Sequence, residues 1–293
     1  MLEMKNVTKT FGTFKALEDL SLTVPKGAVY GLVGPNGAGK STAIRHLTGV
    51  YRPDCGEILM DGQPIYENNP IKERIGHIPD DIFFFPSATL EEMRKYYKGM
   101  YPKFDDALFN RLNEVFQLPK RNQIRRFSKG MQKQAAFQLT IASRPDVMIL
   151  DEPVDGLDPV MRRQVWSLIL SDVAQYETTV LVSSHNLREL EDVCDHVGIM
   201  DHGNMLLERS LADMQGATCK LQLVGDVPEG LNILHESNSG RLKTLIIRAS
   251  TQETIARVQA TNPIYFDVLP LSLEEIFIYE LGGVNYEVKN IVL

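Results

Sequence analysis

One octapeptide constrains what this chain can fold into more than any other feature. Gly34-Pro35-Asn36-Gly37-Ala38-Gly39-Lys40-Ser41 fits G-x-x-x-x-G-K-[ST], and it lies between an apolar run, Ala28–Val33, and a helical pattern from Ser41 to Leu47. A buried strand that breaks into a glycine-rich loop and restarts as a helix is the context in which this pattern cradles phosphate. Glycines let successive backbone N–H groups curl around phosphate oxygens, and the helix start adds partial positive charge. The spacing predicts that Lys40 reaches the β- and γ-phosphates and that the Ser41 hydroxyl ligates Mg²⁺.

Two further strand ends carry candidate chemistry. Val147–Leu150 is an apolar run that ends in Asp151-Glu152. A strand end beside a phosphate loop is where a metal-side aspartate belongs, which assigns Asp151 to Mg²⁺, directly or through water. Glu152 is the next residue, points differently, and is the candidate to polarise an attacking water. Thr179–Ser184 closes on His185 at the same sheet edge, a position suited to sensing a γ-phosphate. The remaining histidines (His46, His77, His196, His202, His235) have no metal-ligand spacing.

Short apolar runs alternate with longer helical patterns up to about Gly216, the signature of a layered α/β domain. Within it, about residues 81–142, lies a largely helical insertion rich in charged helix formers, as in Thr89-Leu90-Glu91-Glu92-Met93-Arg94-Lys95. Near its end, Ala135, Leu139 and Ala142 fall on one stripe of a helix. Residues 217–293 read as a small α+β appendage. Leu221-Gln222-Leu223 alternates, Leu245-Ile246-Ile247 is a strand candidate, and Thr251–Thr261 is a helix candidate. Ser272-Leu273-Glu274-Glu275 opens a final helix with a capping-box pattern that Gly282-Gly283 closes. The expected domains are therefore 1–216 and 217–293.

Composition narrows the function classes. With 31 basic and 38 acidic residues, a net charge of −7, the chain is poorly suited to neutralising nucleic-acid phosphate as its main task. At 43% apolar and 24% charged it is ordinary globular composition. No apolar run approaches the roughly 20 residues of a membrane-spanning helix, and Met1–Asn6 has no signal-peptide pattern. Cys55, Cys194 and Cys219 lie far apart and offer neither a disulfide framework nor a CxxC metal site. A reducing cytosol is the expected compartment.

With these pieces placed, residues 2–216 resemble the ATP-binding cassette (ABC) family of transporter ATPases, whose motifs occur here in the family's order. Phe11 matches the aromatic that stacks on adenine. Gly34–Thr42 matches the phosphate loop, which carries Gly34, Asn36, Gly37, Ala38, Gly39, Lys40, Ser41 and Thr42 over as nucleotide ligands. Phe127-Ser128-Lys129-Gly130-Met131-Gln132 matches the family signature, with Ser128 and Gly130 as its nucleotide contacts. Asp151-Glu152-Pro153 matches the acidic strand end, Gly156-Leu157-Asp158-Pro159 the dimer-contact loop, and Ser183-Ser184-His185 the switch histidine. The resemblance implies a P-loop NTPase cassette that binds ATP and Mg²⁺, and a head-to-tail dimer in which each ATP lies between one chain's phosphate loop and the other chain's signature. It also implies a separate transmembrane permease, and so a cytoplasmic chain peripheral on the inner face of the cell membrane. The appendage resembles those of bacterial cassettes that drive drug, peptide or lipid exporters, which end in a helix like Ser272–Phe277.

Two positions depart from the family pattern. The loop after Ile75-Gly76-His77-Ile78-Pro79 usually carries a glutamine that reaches Mg²⁺ and the lytic water; here it carries Asp80, which can ligate a hard cation but is shorter and negatively charged. The signature has Lys129 where glycine is common, a cation that either assists ATP binding or projects into water. Two alternatives stand beside the transport ATPase: a non-hydrolysing ATP-binding regulatory module, favoured if Asp80 cripples hydrolysis, and a cassette ATPase acting on nucleic acid or ribosomes. The second lacks its usual zinc motifs, long coiled coil or second cassette. Finally, three successive aromatics in Ile82-Phe83-Phe84-Phe85-Pro86 cannot all face one way in an extended segment. Either all are buried against the insertion, or at least one is left at a groove for the membrane subunit.

Overall fold

Val29–Val33 is buried along its whole length and is flanked on both sides by parallel strands, which explains its unbroken apolar run. In the computed structural model, which describes residues 1–261 and 263–281, it is part of a six-stranded sheet. The strand order is Asn204–Ser210, His196–Asp201, Val29–Val33, Thr179–Ser184, Val147–Asp151, Ile75–Ile78. Val33 pairs with Ser184, Asp151 with Ser183, and Ile78 with Leu150, all in parallel. These strands therefore end together, and the loops after Val33, Ile78, Asp151 and Ser184 share one edge.

A second, antiparallel sheet was not foreseen. It joins Phe14–Val24, Leu2–Phe11, Cys55–Met60 and Gln63–Pro64. Its inner residues Leu2, Met4, Leu17, Leu20, Leu22 and Met60 share one core with Leu32, Ile149 and Leu181 of the parallel sheet and Ile44 of the helix Lys40–Leu47. Each such side chain, fully buried, contributes about 1.5–3 kcal/mol.

The expected insertion is helical, and its first two helices carry side-chain start signals. Leu90–Met100 starts with a reciprocal box in which the Thr89 side chain accepts from the Glu92 N–H and the Glu92 carboxylate accepts from the Thr89 N–H. Asp106–Phe116 is capped by the Asp105 carboxylate. A single 3₁₀ turn, Ile124–Arg126, leads into Lys129–Ala142. The predicted stripe of Ala135, Leu139 and Ala142 is buried. Of the three aromatics, Phe84 is half-buried, while Phe83 and Phe85 are 76% and 48% exposed.

The chain divides into two compact units, Met1–His185 with Val193–Glu208, and Asn186–Asp192 with everything from Arg209 onward. The boundary expected after Gly216 falls inside the helix Leu211–Ala217 of the second unit. That unit is built on an antiparallel sheet in the order Ile233–Ser239, Leu242–Ile247, Cys219–Val224, Tyr265–Pro270. Leu221, Leu223, Leu245, Ile247 and Val258 form its core, the last from the helix Thr251–Gln259. The helix Leu273–Leu281 has the predicted box: the Ser272 N–H donates to Glu275 and the Glu275 N–H to Ser272 Oγ. Arg188 and Glu274 pair at 2.8 Å in this unit. The predicted closing glycines, Gly282-Gly283, lie outside the described residues.

Candidate nucleotide site

The phosphate loop needs its glycines for two reasons. A Cβ on Gly34 would lie 2.3 Å from the Met200 carbonyl oxygen, closer than any side chain tolerates. Gly37 and Gly39 stand at φ 87° and 102°, where a side chain is strained, and Gly39 caps the helix Lys40–Leu47. Lys40 is buried and donates to the carbonyls of Gly34 (2.6 Å) and Pro35 (3.2 Å). Burial lowers its pKa, while the nearby carboxylates of Glu152 and Asp151 pull it back up.

A cleft of about 280 Å³ opens on the loop, lined by Pro35 through Thr42 together with Phe14, Ala16, Asp80 and Glu152. It gathers Asn36, Gly37, Ala38, Gly39, Lys40, Ser41 and Thr42 as expected, and adds Phe14. Phe14 pairs across the hairpin with Phe11 and is 64% exposed. Phe11, the expected adenine platform, is 43% exposed, meets the Tyr51 ring edge-on at 5.5 Å and lies under the Lys9 ammonium. The second aromatic was visible three residues on, in Phe11-Gly12-Thr13-Phe14.

Around the carboxylates the geometry is tight. Ser183 Oγ donates to Asp151 Oδ1 at 2.5 Å and accepts from the Glu152 N–H at 3.1 Å. His185 Nδ1 lies 3.0 Å from Glu152 Oε2. Burial raises the Glu152 carboxyl above its ordinary pKa; His185 and Lys40 oppose that rise and the Asp151 charge adds to it. Ser183 was missed by the sequence reading, and nothing in a β-strand serine announces such a role. Among the described residues no group of three or more His, Cys, Asp or Glu forms a self-sufficient metal site. Ser41 and Asp80 line the cleft, and Asp151, held by Ser183, ends the strand just before Glu152. These oxygen donors suit a hard cation that borrows its other ligands from phosphate and water, which is the habit of Mg²⁺.

Ser128 and Gly130 do not reach this cleft. Ser128 is exposed and caps the helix Lys129–Ala142, its Oγ accepting from the Met131 N–H at 3.2 Å. Lys129 and Gly130 instead line a separate cleft of about 280 Å³ with Asp81, Lys133 and Gly156, and Asp80 borders both.

Comparison with known proteins decides the family. The ABC transporter family model matches residues 17–155. The ABC transporter ATP-binding protein YtrB of Bacillus subtilis is 31% identical over 288 residues, which span 97% of this chain and 99% of YtrB. This chain belongs to the ABC transporter ATP-binding proteins. The Nod factor export ATP-binding protein I of Burkholderia lata is 30% identical over 297 residues, 96% of this chain and 97% of that one. A solved ATP-binding subunit of an ABC transporter superposes with a TM-score of 0.68 at 28% identity, covering 73% of this chain and 92% of its own. The ABC cassette is thus a P-loop ATPase that binds ATP, and the expected fold and activity stand. Among the described residues no helix is long and apolar enough to cross a membrane.

Proposed function

We propose that this ABC ATPase works as one half of an ATP sandwich that drives a separate membrane-spanning exporter. The observation that carries the reading is the separation of two anion-ready helix starts. Lys40–Leu47 opens onto the cleft with its own lysine and carboxylates, whereas Lys129–Ala142 opens elsewhere, capped by an exposed Ser128. A helix start with outward N–H groups suits a phosphate, and here the natural donor of that phosphate is a second cassette. Two chains placed head to tail would bring each signature onto the other's bound ATP.

Within one site the residues take distinct tasks. Lys40 and the loop amides bind the β- and γ-phosphates, and Ser41, Asp151 and Asp80 would hold Mg²⁺, which supplies charge neutralisation on the phosphates when bound. Glu152 accepts a proton as water oxygen bonds to the γ-phosphorus and the bond to the β–γ bridging oxygen breaks, its electron pair leaving with ADP. A raised carboxyl pKa suits this general base. His185 holds the Glu152 carboxylate and senses the γ-phosphate. Phe11 and Phe14 form the aromatic side of the base pocket.

Export rests on similarity to the Nod factor export protein over nearly the whole chain. The partner surface is Phe83 and Phe85, exposed just after Asp80, where nucleotide state reaches them. Single alanine substitutions there should weaken assembly with the permease by about 2 kcal/mol or more if either is a hot spot, and barely shift the melting temperature of the free cassette. Loss of melting temperature without loss of assembly would make them core residues. Co-purification with a membrane protein, and ATP-driven movement of substrate in vesicles of known orientation, test the coupling and its direction. An Mg²⁺-dependent ATPase assay separates this reading from a non-hydrolysing regulatory module, which Asp80 in place of glutamine would favour.

A further inference from the structure

Glu152 stands at φ 46°, in the left-handed region, although it is not glycine and precedes a proline. Such a backbone persists only where its surroundings over-determine it. On one side, the Glu152 N–H is held by Ser183 Oγ. On the other, the peptide joining Glu152 to Pro153 has no N–H, so its plane can be anchored by hydrogen bonding only through its carbonyl oxygen. That oxygen accepts from the Asp155 N–H at a long 3.3 Å and from the Lys133 ammonium at 2.9 Å. The same ammonium donates to the Asp155 carbonyl at 2.7 Å, just before Gly156. Lys133 therefore clips both ends of the turn that carries Glu152.

We infer that Lys133 is a positioning residue for ATP hydrolysis: by holding the Glu152 carbonyl it fixes the backbone that aims the Glu152 carboxylate. The inference rests on the reading of Glu152 as the base. Lys133 belongs to the helix Lys129–Ala142, whose first residues follow Ser128. Were an anion drawn to that start to shift the helix, the ammonium and the Glu152 turn would shift with it. In the sandwiched dimer this would make the base at one ATP responsive to the other ATP, without any new contact to nucleotide. Lys133 does not line the phosphate-loop cleft, so its removal should leave ATP binding alone.

The test compares full-length Lys133→Met, Glu152→Gln and the double variant, measuring ATP affinity by calorimetry and steady-state kcat and KM. Lys133→Met keeps the aliphatic stem and removes the donor. Its kcat should fall about 10- to 100-fold, the range a small misplacement produces, with KM and ATP affinity within about twofold of wild type. Lys133→Arg should recover part of the loss, and the double variant should be no slower than Glu152→Gln alone, because both changes act on one group. Unchanged kcat in Lys133→Met while Glu152→Gln is inactive overturns the inference. So does a parallel fall in kcat, affinity and melting temperature that adds to the Glu152→Gln loss, since that is a structural effect only. Near wild-type turnover in Glu152→Gln instead overturns the reading of the base. If Lys133→Met does not fold, Lys133→Gln, with a neutral and shorter donor, is read by the same criteria.

Discussion

The helices Lys40–Leu47 and Lys129–Ala142 begin with the same physics and differ in what surrounds them. Both present unpaired backbone N–H groups and a positive dipole end. The first is enclosed by its own chain: Gly34 is pressed against the Met200 carbonyl, Lys40 is buried, and Glu152 and Asp80 line the same cleft. The second is open: Ser128 and Lys129 are exposed, and a Cβ on Gly130 would make only ordinary contact, 3.8 Å from Leu157. One start is thus finished within the chain and the other is not. The proposed division of one ATP site between two chains draws on that asymmetry, and it can be tested at either end.

The largest effect belongs to the enclosed side. Glu152→Gln keeps the size of the side chain and removes its basicity, so turnover should fall about 10²–10⁴-fold while ATP stays bound. Size-exclusion chromatography with ATP should then show an accumulated dimer; continued hydrolysis with no gain of dimer would assign the base elsewhere. Next comes Lys40→Ala, which removes a charge-assisted contact and should weaken ATP binding by about 1.5–3 kcal/mol. Calorimetry returning wild-type affinity would take the lysine out of the site. At the open side, Ser128→Arg should leave single-chain ATP affinity intact and abolish the Glu152→Gln dimer. It also costs the helix its cap, about 1 kcal/mol. A dimer that survives it would mean the second helix start is not an interface.

The contrast also shows what a sequence can disclose. The phosphate loop was legible because all its demands are local: a strand, fixed glycines, then a helix. The carboxylates and His185 were legible because each ends an apolar strand, and parallel pairing brings those ends together. The antiparallel sheet was not, since register shifts after Met4, Val7 and Lys9, with Asn6 at φ 50° and Asp19 at φ 49°, break the alternation that announces a strand. Ser183 and Lys133 stayed hidden because their partners are the carboxylate and backbone of residues 32 and 19–22 positions away. Glu152 was assigned its chemistry, but nothing in Asp-Glu-Pro reveals a positive φ.

A smaller effect tests the electrostatics of the enclosed side. Burial raises the Glu152 pKa, so the carboxyl protonates at higher pH than an ordinary glutamate, and turnover should fail on acidification before pH reaches the usual carboxylate range near about 4.3. His185 opposes the rise, so His185→Ala should move the Glu152 titration further up, read from its side-chain carboxyl ¹³C shift. A downward move would mean that His185 does not stabilise the ionised form. The sign extends to stability. A raised folded-state pKa means that the contribution of this group is fully present at low pH and is lost as pH rises through it. Relative to wild type, Glu152→Gln should therefore gain melting temperature more at pH 8 than at pH 5.

The smallest expected effect is on the fold at Gly130, and it discriminates most finely between the two helix starts. Gly34→Ala should damage the isolated chain, because the Met200 carbonyl leaves no room for a Cβ. Gly130→Ala should not. The position is helical, it has no positive φ, and the added methyl meets Leu157 at ordinary distance. Alanine is the better helix former by about 0.5–1 kcal/mol, so the melting temperature of the free cassette should hold or rise slightly. ATP affinity of the single chain should not change either, because Gly130 does not line the phosphate-loop cleft. Any loss of ATP-driven dimer or of turnover in this variant must then come from something outside the chain that approaches the backbone at Gly130. In the proposed sandwich, a phosphate held by a second cassette is the group that would need a bare N–H there. If Gly130→Ala dimerises and hydrolyses like wild type, no anion comes that close, and the open helix start does not complete the site.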